Sequence, residues 1–161
     1  MIYKQGFTLI ELLIVISIVS LLFLFSTSSD YQLYEKNQLQ IISDKLKSAI
    51  RYGRYKALAQ GTTLALVPLD NFNWSAGMVL FIDNKKHKPD KENIIRVWQQ
   101  YTRTIKIDWQ GFQSKHYLIF TPILKKAACN GHFTLSINNK IQKKIIVNRL
   151  CFTHEPVVKN S

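Results

Sequence analysis

From Phe7 to Phe25 the chain is almost unbroken apolar sequence, relieved only by Thr8, Glu11, Ser17 and Ser20. A run of about 20 such residues matches the hydrocarbon thickness of a bilayer, and it is too apolar for a core helix of a soluble domain. Lys4, on the short side, holds the N-terminus in the cytoplasm and sends the rest of the chain outward. A secretory signal peptide shares the basic start and apolar centre, and Ser26-Thr-Ser-Ser29 would loosely serve as its cleavage site. Neither a plain anchor nor a signal peptide accounts for Glu11. An acid inside a membrane segment costs about 2.5–3.5 kcal/mol at mid-helix, less near an end, and usually marks function. Its charge calls for a cation at the same depth, and the only nearby basic side chain is Lys4. A free α-amino group would serve if the chain were cut just before Phe7.

These residues, Gly6-Phe7-Thr-Leu-Ile-Glu11 ahead of an apolar run, resemble the N-terminal signal of type IV pilins and type II secretion pseudopilins. The resemblance implies cleavage after Gly6 by a prepilin peptidase, methylation of the new N-terminal Phe7, and pairing of Glu11 with the terminal amine of a neighbouring subunit. It divides the chain into a leader at 1–6, a transmembrane and assembly half of the helix at 7–29, and a periplasmic pilin-like head at 30–161. The head is expected to sit outside a bacterial inner membrane that the helix crosses once, before the subunit joins a fibre.

Past Asp30 the pattern becomes amphipathic. Leu39, Ile42, Leu46, Ala49 or Ile50, Gly53 and Ala57 recur at steps of three and four, with Lys36, Asp44, Lys45, Lys47, Arg51 and Arg54 mostly between them. One helix running from the apolar segment to a glycine stop at Gln60-Gly61 would be a rod of roughly 80 Å. Strand-like runs follow: Thr62–Val67 closed by Pro68, then Met78–Ile82 after a turn around Asn71–Trp74. Ile94–Gln99, Thr104–Ile107, Tyr117–Phe120, His132–Ile137 and Lys144–Phe152 continue the series. A helix followed by many short strands predicts an α+β fold, a long N-terminal helix packed on a small antiparallel β-rich head.

The middle of the chain is similar to the GspH/FimT branch of that family. Trp74-Ser-Ala-Gly77-Met-Val-Leu-Phe81-Ile-Asp83 looks like its W-x-x-G-W-x-V-F-x-D hairpin, with Met78 in place of the second tryptophan. Asn130-Gly-His-Phe-Thr-Leu135 and Ile145-Ile-Val-Asn-Arg-Leu150 resemble its last strands, with Asn148 where glycine is common.

Formal charge is +12, from 22 basic and 10 acidic residues, and the excess is concentrated late. From Arg96 onward eleven basic residues face two acids, Asp108 and Glu155. That asymmetry fits either a polyanionic partner or a solvated lysine face. FimT-like members of the branch bind DNA through C-terminal basic residues, so the resemblance implies double-stranded DNA as a partner for Lys140, Lys143, Lys144 and Arg149, in support of DNA uptake. The alternative is a purely structural pseudopilin of a type II secretion system. Cys129 and Cys151 are either buried thiols or a disulfide; export of the head favours the bond, which would contribute about 3 kcal/mol and draw Lys125 and Lys126 together with Lys140, Lys143, Lys144 and Arg149 into one patch.

Enzymatic chemistry finds no support in the pattern. His87, His116, His132 and His154 are scattered, without nucleophile or H-E-x-x-H context, and no glycine-rich phosphate loop is present. The oxygen-bearing stretch Asp83–Glu92 invites a calcium reading, but its four lysines oppose one, and it reads as a solvated hairpin loop. No cofactor or metal is expected.

Overall fold

The computed structural model describes residues 8–70, 72–99 and 104–156, and for residues 23–32 and 124 the backbone only. Gly6 and Phe7, the expected processing residues, lie outside the described residues. The chain divides into two compact units, residues 1–38 and 39–161. Both contribute to α1 (Leu9–Gln60), which ends where Gly61 takes a φ of +64°, the left-handed stop that glycine adopts without strain.

In the first unit Leu33 is exposed, and so are all the apolar side chains from Leu9 to Leu22. Among the described residues no helix is long and apolar enough to cross a membrane. The span expected over 7–29 extends beyond both ends of those side chains.

In the second unit the described residues form eight strands in two antiparallel sheets. β1 (Leu64–Asp70), β2 (Asn73–Ile82), β3 (Ile94–Gln99) and β5 (Leu118–Phe120) make one, in the order β3-β2-β1-β5. β4 (Ile105–Gly111), β6 (Gly131–Ile137), β7 (Lys140–Val147) and β8 (Thr153–His154) make the other, in the order β4-β6-β7-β8. The helical stripe Ile42, Leu46, Ala49, Ile50 and Ala57 is buried against residues of both sheets. Gly53 lets the helix approach so closely that a Cβ there would stand 2.5 Å from the Phe120 ring. The sheets are joined by Trp74, whose ring lies 5.2 Å from that of Phe133, and by the Ile107 amide donating to Ser75 Oγ at 2.8 Å. A smaller cluster, Ala65, Val67, Val79, Phe81 and Ile119, lies on the other face of the first sheet. Burial on both faces explains why Leu64–Val67 reads as an uninterrupted apolar run rather than an alternation.

Several boundaries differ from expectation, among them β4, which runs on to Gly111 where Ile107 was the expected end. Pro68 does not close the first strand; it pairs with Met78, and β5 reaches only to Leu66, so its missing N–H faces no strand. Asp70 pairs with Asn73, so Asn73 and Trp74, expected in the turn, belong to β2, and Trp74 is core. The expected strand Lys144–Phe152 is the second half of β7, which starts at Lys140 and ends at Val147, followed by a turn at Asn148–Cys151, and β8 begins only at Thr153. The turn carries no glycine: Asn148 Oδ1 accepts from the amides of Leu150 and Phe152, both at 2.9 Å, and Cys151 takes a φ of +59°.

Candidate functional site

At the N-terminal end, Glu11 is exposed in the first turn of α1. Thr8 precedes the helix, and its Oγ1 accepts from the Glu11 amide at 3.4 Å. Thr8-x-x-Glu11 is thus the spacing of a capping box, a local signal present in the sequence itself. The carboxylate also lies at the positive end of the helix dipole.

At the C-terminal end the structure joins Cys129 to Cys151 as a disulfide, with Cα atoms 5.2 Å apart. Beside it Arg149 Nη2 donates to the carbonyl of Lys125 at 3.2 Å. Lys125 and Lys126 belong to a short 3-10 helix, Leu124–Lys126. Lys125, Lys126 and Arg149 therefore form one exposed basic corner.

The other basic residues do not join it. Lys140 stands at the far end of β7, roughly 23 Å from Val147 at 3.3 Å per residue. Lys144 and Lys143 are opposite Thr134 and Leu135, and successive strand residues project to opposite faces. Lys143 is turned inward: its Nζ lies 2.8 Å from Gln40 Oε1 and 3.1 Å from Glu155 Oε1. Glu155 also pairs with Lys47 and accepts from Ser43 Oγ at 3.0 Å, while Lys47 and Gln40 both bond Asp44. Asp44, Gln40, Lys143, Glu155 and Lys47 thus close a ring of polar contacts that ties β7 and the residue after β8 to the helix. Burial by itself would push the Glu155 carboxyl up, but hydrogen bonds from Lys47, Lys143 and Ser43 prevail and hold it below its usual range. The hydrogen bond to Glu155 raises Lys47 against the opposing effect of burial. Lys144 leaves its mark on a neighbour, since burial first and then the Lys144 charge depress His132.

The oxygens of the 83–92 loop are already engaged. Asp83 Oδ1 is 2.8 Å from His87 Nδ1, and Asn84 Oδ1 accepts from the amides of Lys86 and Lys88. Asn84 Nδ2 donates to the Lys88 carbonyl and to Asp90. Among the described residues no group of three or more His, Cys, Asp or Glu side chains could hold a metal ion.

This combination of an N-terminal helix, two small antiparallel sheets and a late disulfide can be compared with known proteins. Residues 1–27 match the prokaryotic N-terminal methylation motif. Residues 43–150, well over half of the chain, match the type II transport protein GspH family. The chain belongs to the GspH family. Among solved structures, two crystal forms of the type IV minor pilin FimU of Pseudomonas aeruginosa share the fold of this GspH-family chain. In the P21 form TM-score is 0.61 at 15% identity, over 77% of this chain and 92% of FimU. In the P65 form TM-score is 0.56 at 14% identity, over 73% and 91%. No curated protein matches. A GspH-family chain carrying the methylation motif is a minor pilin or pseudopilin of the type IV and type II systems, a structural class of protein.

Proposed function

We propose that this chain is a minor pilin that waits in the bacterial inner membrane with its head in the periplasm and is then drawn into a type IV pilus. A prepilin peptidase cuts after Gly6, Phe7 is methylated, and Glu11 pairs with the Phe7 amine of a neighbouring subunit. The observation that carries this reading is the exposed Glu11 in the first turn of an apolar helix, inside the matched methylation motif. Ser17 and Ser20 fit a bilayer too: each hydroxyl donates to the carbonyl four residues back at 2.8 Å, so neither needs water.

Mass spectrometry of membrane-extracted protein is expected to find a chain beginning at N-methylated Phe7. Incorporation into fibres is expected to fall about tenfold or more in both Glu11→Ala and Glu11→Gln, the scale of stranding one member of a desolvated pair. Glutamine keeps the shape and hydrogen-bonding capacity of the capping position but not its charge. A Glu11→Gln subunit that assembles at the parental level would therefore leave only the capping role.

The basic corner favours a second reading, that the pilin captures extracellular double-stranded DNA without sequence preference and supports natural transformation. Lys125, Lys126 and Arg149 supply phosphate contacts on one surface held by a covalent bond. Replacing all three with alanine in the full-length protein is expected to weaken duplex binding and to lower its salt slope by about 0.9 for each phosphate no longer neutralised. Lys140 and Lys144 contribute separately, and Lys143 least, because Gln40 and Glu155 already hold it. A deletion strain that secretes normally but fails to transform separates this reading from that of a structural type II pseudopilin.

A further inference from the structure

The β1–β2 tip, the β2–β3 loop and the residues leading into β5 enclose a half-open pocket of about 340 Å³, lined in part by Phe72, Lys86, His87, Lys88, His116 and Tyr117. Phe72 precedes Asn73, which pairs with Asp70, and takes a φ of +68°. That left-handed conformation suits glycine; for a bulky side chain it is strained, and such strain gathers at functional positions. Burial does not offset it, since Phe72 is 65% exposed. Its ring instead lies 4.0 Å from that of His116. On the facing wall His87, also left-handed at +50°, places its ring 4.3 Å from Tyr117 and is steadied by Asp83. The Asn84 side chain organises the turn that carries Lys86 and Lys88. No carboxylate lines the pocket.

We propose that this pocket is a stacking site for single-stranded nucleic acid. Bases lie on the Phe72–His116 and His87–Tyr117 rings, and the backbone phosphates meet Lys86 and Lys88. Bases of a duplex are stacked on one another and cannot enter, so the ligand is a single strand. An anionic glycan would need hydrogen-bond acceptors for its hydroxyls, and Asp83, Asn84 and Asp90 are committed to the loop itself. The proposal goes beyond the assembly and duplex readings and uses none of their residues.

Fluorescence anisotropy of a labelled oligothymidylate with the full-length chain in detergent micelles tests it. Phe72→Gly removes the ring and relaxes the tip, so the thermal midpoint is expected to hold or rise while affinity falls about tenfold. Lys86→Ala with Lys88→Ala is expected to lower the salt slope by about 0.7 for each phosphate released. The Lys125, Lys126 and Arg149 alanine variant is expected to weaken duplex binding more than oligothymidylate binding, and Phe72→Gly to do the reverse. Undiminished binding by Phe72→Gly overturns the proposal. So does displacement of the strand by polygalacturonate at equal charge, which would make the site a glycan site.

Discussion

Glu155 is one of only two acids in the last sixty-six residues, and the structure places it against the helix rather than among the lysines in general. Its folded carboxyl is held below its usual value, so its contribution to stability is present above the ordinary 4.5 and is lost as pH falls through the lower folded value. Lys47 is raised, so its contribution persists up to the ordinary 10.5 and is lost only above that. The head's thermal midpoint is therefore expected to ease down below 6.5, where the depressed His132 resists protonation, and to drop further through Glu155 on acidification below 4.5. In Glu155→Gln it should start lower and lose most of that further drop, as a melting series against pH would record. The sequence pointed to a cluster of C-terminal lysines; it concealed that Lys143 belongs to a different network. Its partner Gln40 lies 103 residues away, and adjacent Lys143 and Lys144 take opposite sides of one strand.

Helix-on-sheet packing turns on Gly53 and Phe120. Alanine is the better helix former by roughly 1 kcal/mol, yet its Cβ would lie 2.5 and 2.7 Å from atoms of a ring that is 1% exposed and has nowhere to swing. Gly53→Ala is expected to destabilise the head by about 1–3 kcal/mol in chemical denaturation, and adding Phe120→Leu should recover part of that stability. The helical stripe was legible because burial follows the 3.6-residue period: Ile42, Leu46, Ala49, Ile50 and Ala57 are all core. Ile94–Gln99 was legible end to end. Two of the misread boundaries share a cause, which is that local punctuation depends on the neighbouring strand. Pro68 interrupts nothing where no partner strand faces its nitrogen, and the Asn148 turn is built from a side chain where glycine or proline would have announced it.

For the whole molecule, the Cys129–Cys151 bond fastens the segment after β5 to the turn between β7 and β8. It closes a loop of 22 residues, for which chain entropy gives about 3 kcal/mol. A Cys129→Ala, Cys151→Ala protein is expected to lose stability on that scale in urea, and to lose duplex DNA affinity as Lys125 and Arg149 separate. One consequence of the topology concerns the stored subunit. β8 covers only Ile146 and Val147, so no described strand caps β7 from Lys140 to Ile145 on that side. An uncapped strand invites another copy to extend the sheet, and positive side chains along it are a common deterrent. With Lys140 and Lys144 exposed there, copies of the subunit, if stored in one bilayer as proposed, would repel edge to edge rather than pair through their sheets.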